Sequence, residues 1–110
     1  YKSRIDIIDW DGAALKDGAG CDYGNVMSPA QVVTLLSYAD KKGPVFGGMS
    51  FEKFLSISGV DGTWASRNTD HKGQVLAKTG TLNVNANLAG YFYAKRNGVM
   101  HKYYFAMLVE

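Results

Sequence analysis

Apolar and polar positions change period along the chain, dividing it into a loop-rich start, a helical middle and a β-rich end. From Pro29 to about Lys41, Val32, Leu35, Leu36 and Ala39 recur at i, i+3, i+4 and i+7, which predicts an amphipathic helix. Its start is marked by Ser28-Pro29-Ala30-Gln31, a capping box with proline at the first helical position. Lys41 and Lys42 fall in the last turn, where the helix dipole favours cations, and Gly43-Pro44 ends the run. Ser50 is placed to cap a second, shorter helix with Phe51, Phe54 and Leu55 on one face.

The last third switches to a period of two. Val75, Ala77 and Thr79 alternate with Leu76, Lys78 and Gly80. Between Leu88 and Lys95, Tyr91, Tyr93 and Lys95 share one face, and Leu88, Gly90, Phe92 and Ala94 the other. Asn97-Gly98 is a hairpin signal, and beyond it His101, Tyr103, Phe105, Met107 and Val109 share a face. The pattern predicts an α/β (α+β) architecture: three consecutive antiparallel strands, with helices covering at least one side.

The remainder is connection. Ile5, Ile7 and Ile8 read equally as a strand or as the end of a helix, Asp11-Gly12 as a turn, Ala13 to Lys16 as a short strand, and Asp17-Gly18-Ala19-Gly20 as a second turn. After a turn at Asp61-Gly62, the polar run from Thr63 to Gly73 gathers Arg67, Asn68, Thr69, Asp70, His71 and Lys72 into a long surface loop.

Composition narrows the class more than the chemistry. With 46% hydrophobic, 13% aromatic and 20% charged residues in 110, the chain is neither disordered nor collagen-like, and it is at most one domain. A net charge of +2 is too small to mark a nucleic-acid binder. Tyr91, Tyr93, Tyr103 and Tyr104 beside Lys95, Arg96 and Lys102 fit a stacking surface, and they fit cross-strand packing equally well. Cys21, the single cysteine, reads as a small apolar filler, and Cys21, His71 and His101 are scattered too singly for a metal site. The chain begins at Tyr1 without an apolar leader, and a strand pattern runs almost to its last residue. Both features suggest a piece of a longer protein.

The chemistry concentrates in Lys78-Thr79-Gly80, where a cation, a hydroxyl and a glycine lie together on a strand. Alone, so short a run is weak. With its flanks it is specific. Asp17-Gly18-Ala19-Gly20, Asn25, Ser28-Pro29, Gly59-Val60-Asp61-Gly62-Thr63, Arg67, Gly73, Ala77-Lys78-Thr79-Gly80-Thr81-Leu82 and Leu88-Ala89-Gly90-Tyr91 follow in order. From about Lys16 onward, this series resembles the C-terminal part of the D-alanyl-D-alanine carboxypeptidases/endopeptidases of the class C low-molecular-mass penicillin-binding proteins.

The resemblance implies that residues 1–110 are the C-terminal portion of one penicillin-binding (transpeptidase-like) domain. Such enzymes form an acyl-enzyme through Ser-x-x-Lys, Ser-x-Asn and Lys-Thr-Gly. Carried onto this chain, Lys78 enters the lysine/serine hydrogen-bond network and Thr79 bonds the substrate's terminal carboxylate. Gly80 leaves room for the peptide, and the backbone N–H of Thr81 forms half of the oxyanion hole. The implied partners are a peptidoglycan stem peptide or a β-lactam and the remaining N-terminal part of the domain. No cofactor, metal or nucleic acid is implied, and the implied location is extracytoplasmic.

Several positions depart from that family. Ser50-Phe51-Glu52-Lys53 is the one formal Ser-x-x-Lys, but it falls where the family has an ordinary short helix, so no nucleophile is expected in this chain. Ser66-Arg67-Asn68 has the letters of Ser-x-Asn out of family order. The family's Asp-Gly-Ser-Gly-Leu-Ser-Arg stretch stands here as Asp17-Gly18-Ala19-Gly20-Cys21-Asp22-Tyr23. The chain alone is therefore expected to be inactive. The alternative is a non-catalytic binding module that kept the sheet, and an exposed sheet edge and apolar face leave self-association open.

Overall fold

The computed structural model describes residues 5–43, 47–62, 65–67, 69–83 and 85–109. One α-helix among them, α1 (Pro29–Lys41), lies on one face of an antiparallel sheet whose strands run in the order β1 (Ser56–Ile57), β2 (Val75–Leu82), β3 (Asn85–Arg96) and β4 (Val99–Val109). Helix α1 has the bounds that its apolar spacing predicts. The Ser28 hydroxyl accepts from the Gln31 backbone N–H at 3.1 Å, and Gln31 Oε1 accepts from the Ser28 N–H at 2.8 Å. Gln31 Nε2 also donates to the carbonyls of Asp9 and Asp11 at 2.8 and 2.9 Å, tying the leading segment to the helix start. At the other end Gly43 has a φ of 70°, while Pro44 lies outside the described residues.

Register sorts the sheet's side chains onto two faces. Leu76 pairs with Tyr91 and Tyr91 with Tyr104, so these three look toward α1. There Leu36, Leu55, Leu76 and Tyr91 form the core, with Val32, Phe51, Ile57 and Ala89 packed around it. Phe92, Tyr103 and Phe105 share the opposite face, where Phe92 stacks on Tyr103 at 4.9 Å between centroids. The β3–β4 hairpin turns at Asn97 (φ 53°) and Gly98 (φ 77°), both in the left-handed region that a two-residue type I′ turn requires. Gly90 serves another need: a Cβ there would stand 2.1 Å from the Leu76 carbonyl and 2.7 Å from Ala77 Cα. Only a residue without a side chain lets β2 and β3 approach so closely.

Hydroxyls and charges tie helix to sheet. Tyr91, fully buried, donates to the Leu36 carbonyl at 2.8 Å. Lys102 bonds Asp40 and reaches Glu52 at 2.8 Å, while Tyr104 donates to Asp40 at 2.8 Å and Tyr93 to Glu52 at 2.6 Å. Burial opposes the Asp40 carboxylate, but its bonds from Lys102 and Tyr104 outweigh this and hold its pKa below the ordinary carboxylate value. Glu52 is lowered by the same ammonium and by Tyr93. Burial also opposes the Lys102 charge, yet the two carboxylates raise its pKa above the ordinary value. Burial pushes the Tyr91 phenol up to about 12.

The structure corrects several sequence expectations. The sheet has four strands rather than three, because β1 is a two-residue strand too short to show a period. The second helix is a single 3₁₀ turn, Phe51–Phe54, and the Ser50 side chain makes no capping bond to it. Leu55 has already left the turn for extended backbone and is buried, whereas Phe54 is exposed. The stretch from Ile5 to Ile8 is turn and irregular chain, and Ala13 to Lys16 contributes only the bridge Ala14–Val26. Of the four tyrosines, Tyr91, Tyr93 and Tyr104 are tied beneath α1 and Tyr103 stacks on the opposite face, so cross-strand packing accounts for them.

Gly90→Ala is expected to lower stability by about 2 kcal/mol or more, read as a fall in denaturation midpoint, since backbone rather than a flexible side chain must give way. The charge network fixes the pH response. Depressed carboxylate pKa values make its stabilisation complete above about pH 5 and lost as pH falls through the lowered values of Asp40 and Glu52. The raised Tyr91 and Lys102 values remove stability as pH climbs above about 10. Lys102→Met is expected to cost about 2 kcal/mol or more at pH 7 and to flatten the acid limb of a stability–pH curve.

Candidate functional site

Strand β2 carries Lys78, Thr79, Gly80 and Thr81, opposite Ala89, Leu88, Asn87 and Ala86 of β3. On its other edge β1 pairs only with Leu76 and Ala77. From Lys78 to Leu82, therefore, this edge meets no further strand among the described residues. Its outward N–H and C=O groups are a template for an extended chain. Lys78 is exposed, and its ammonium donates to the Thr79 carbonyl. Gly80 and Thr81 are exposed and Thr79 is half-buried. Alternation sets Lys78 and Gly80 on the α1 face and Thr79 and Thr81 on the other.

On the threonine face a cleft of about 280 Å³ is lined by Arg67, Thr79, Thr81, Leu88 and Met107, among others. Among the described residues its lining has one cation, Arg67. The polar loop that the sequence shows as one charged run thus sends Arg67 to the strand carrying Lys78. The C-terminal end of that loop is held by Ser58, which is fully buried. Its hydroxyl donates to the His71 carbonyl at 2.6 Å and accepts from the Val75 N–H at 3.2 Å, and its carbonyl accepts from the Gly73 N–H at 2.8 Å. Sequence reasoning missed this role, since a serine beside a glycine reads as a turn residue. It also missed Asn87, which faces Gly80 in register and accepts from the Val109 N–H at 3.2 Å. The alternation of Asn83, Asn85 and Asn87 was the available signal.

Other candidates lie elsewhere. Ser50 precedes the 3₁₀ turn and Lys53 lies within it, and that turn packs on α1. Asn68, the third residue of the out-of-order Ser-x-Asn, lies outside the described residues, as does Thr63. Cys21 is exposed, which overturns its reading as an apolar filler. Asp17 explains the exposure, because its carboxylate collects the N–H groups of Ala19, Gly20, Cys21 and Asp22 and winds this stretch into a surface turn. The Asn25 amide and these backbone bonds hold the Asp17 pKa below the ordinary carboxylate value.

An antiparallel sheet with a helix on one face and Lys-Thr-Gly on β2 is a partial penicillin-binding-protein-like α/β domain. Two crystal structures of penicillin binding protein 4 (dacB) from Haemophilus influenzae superpose on it, each at 28% identity. One has a TM-score of 0.75 over 89% of this chain and 21% of that protein; the other, complexed with a β-lactam, has 0.77 over 90% and 22%. The chain belongs to the D-Ala-D-Ala carboxypeptidase 3 (S13) family, whose sequence model matches residues 3–110. A D-alanyl-D-alanine carboxypeptidase from Actinomadura sp. (strain R39) is 35% identical over 91 residues, covering 76% of this chain and 16% of the relative. The chain thus spans about a sixth of the curated relative's length.

Ser58→Ala is expected to cost about 1–3 kcal/mol by leaving buried backbone groups without a partner. Faster amide hydrogen exchange at Gly73 and Val75 is the reading that ties the loss to this loop.

Proposed function

We propose that residues 1–110 are the C-terminal portion of one penicillin-binding domain and supply the Lys-Thr-Gly strand of a serine-type D-Ala-D-Ala carboxypeptidase/endopeptidase. The edge of β2 from Lys78 to Leu82, which meets no further strand among the described residues, carries this reading, because it offers backbone groups beside a cation and two hydroxyls. A peptidoglycan stem peptide ending in D-Ala-D-Ala lies along that edge as an added strand, and a β-lactam takes the same place.

The nucleophilic serine comes from polypeptide outside these 110 residues. Its Oγ attacks the carbonyl of the penultimate D-Ala, and its proton passes into the lysine network to which Lys78 contributes positive potential. The Thr81 N–H helps hold the oxyanion while the terminal D-Ala leaves as a protonated amine. Water then cleaves the acyl-enzyme. Thr79 holds the terminal carboxylate, and Gly80 keeps the edge clear of side chains. None of these steps calls on a cofactor. Work on peptidoglycan places the protein outside the cytoplasm, and no helix among the described residues is long and apolar enough to cross a membrane.

Fluorescent penicillin tests the assignment. The complete polypeptide carrying this chain is expected to label covalently, and Lys78→Ala to slow acylation by about 100-fold or more. The 110-residue chain alone is expected to remain unlabelled; its stoichiometric labelling would defeat the claim that the serine lies elsewhere. If the natural reading frame supplies no Ser-x-x-Lys before Tyr1, the non-catalytic module takes the place of the enzyme.

A further inference from the structure

We propose that the outer edge of β4 is a self-complementary interface, through which two copies of this chain pair their four-stranded sheets into one continuous antiparallel sheet. The inference is independent of the peptidase reading, because β3 separates β4 from β2 and the pairing leaves the edge from Lys78 to Leu82 open.

Strand β4 is last in the sheet, and its far side meets no further strand among the described residues. Arg96 pairs with Val99 across the two-residue turn, so the N–H and C=O groups of Val99, His101, Tyr103, Phe105, Met107 and Val109 point to β3. The Val109 N–H, which reaches Asn87 on β3, agrees with that phase. Those of Met100, Lys102, Tyr104, Ala106 and Leu108 therefore point outward. The edge is 11 residues long, contains neither proline nor glycine, and pairs with β3 without a bulge. Its one lysine, Lys102, does not guard it, because Asp40 and Glu52 hold the ammonium beneath α1. The devices that ordinarily blunt an edge are thus missing from β4.

The sequence of the strand shows which partner fits. Val-Met-His-Lys-Tyr-Tyr-Phe-Ala-Met-Leu-Val reads nearly the same in hydropathy from either end, with Tyr104 at its centre. An antiparallel copy centred there sets Val99 against Val109, Met100 against Leu108, His101 against Met107, Lys102 against Ala106 and Tyr103 against Phe105. Lysine never meets lysine, and Tyr103 facing Phe105 is an aromatic pair of the kind that stabilises sheets. The same register pairs all the outward backbone groups, giving about ten hydrogen bonds across the two-fold axis. Val99, Met100, Met107 and Val109 are each more than half exposed, and the pairing lays an apolar side chain or the His101 ring against each of them. Paired residues share a face, so the surfaces formed by Phe92, Tyr103 and Phe105 in the two copies run together on the side away from α1.

The test uses the whole 110-residue chain. Sedimentation equilibrium is expected to show a monomer–dimer equilibrium that depends on concentration and stops at the dimer, because the two-fold axis uses up the edge. Amide hydrogen exchange at Met100, Lys102, Tyr104, Ala106 and Leu108 is expected to slow as concentration rises, while Thr81 on β2 keeps its rate. The double variant His101→Glu/Met107→Glu sets carboxylates opposite each other across the axis, and is expected to raise the dimer dissociation constant about 10-fold or more. In His101→Lys/Met107→Glu each glutamate faces a lysine, which is expected to return the constant to within about 3-fold of the unsubstituted chain. Both positions are exposed, so neither variant alters the core. A chain that stays monomeric, equal constants for the two double variants, or β4 amides that exchange at one rate at every concentration would overturn the assignment. Should the variants fail to fold, exchange in the unsubstituted chain decides alone. Penicillin labelling of the complete polypeptide bears on the peptidase reading and leaves this one untouched.

Discussion

A phenol taken fully out of water must place its hydroxyl on a partner, and Tyr91 meets that demand at the Leu36 carbonyl, 55 residues away in sequence. The bond joins the middle of β3 to the middle of α1, so it fixes both where the helix lies over the sheet and how it is turned. Other features follow from that seat. The Lys102 ammonium stands 4.3 Å from the Tyr91 ring centroid, held there by Asp40 at the end of the helix and Glu52 in the 3₁₀ turn. One residue earlier Gly90 gives up its side chain so that β2 can close against β3. The Ala-Gly-Tyr run at 89–91 therefore sets two distances at once, helix to sheet and strand to strand.

These distances matter because the candidate chemistry sits on β2, which has β3 for its full length on one edge and β1 for only two residues on the other. A strand supported on one side needs a firm partner there. Close packing at Gly90 and the clamp at Ser58 supply it, and the polar network beneath α1 stiffens the layer behind. An unpaired edge is ordinarily a hazard that proteins blunt with charge. Lys78 supplies such charge, and its ammonium turns back onto the Thr79 carbonyl. The residue that protects the edge is also the one proposed to act when a peptide takes the edge over.

What the sequence made legible was local. Helix α1 announced both ends because its capping box and its stop lie within a few residues of the turns they close, and Asn97-Gly98 specified its hairpin because two adjacent residues with positive φ leave few alternatives. The order of short blocks around Lys78 carried the family for a similar reason. Strand β1 was not legible, since two residues cannot display a period and its pairing is supplied by β2 some twenty residues on. Phe54 and Cys21 went astray because composition records how apolar a residue is, not whether its turn faces the core. Arg67 was visible only as one charge among several, because its place beside Thr79 and Thr81 depends on a tertiary contact that sequence spacing does not show.

The contrast between the two cations follows from backbone geometry. On a strand, a side chain's face is set by parity, so Lys78 and Thr79 cannot serve the same side of β2 however close they are in sequence. A site that needs a positive charge on each face of a strand cannot draw both from neighbouring positions of that strand. Among the described residues lining the threonine cleft, Arg67 is the cation, and it comes from the loop rather than from the strand.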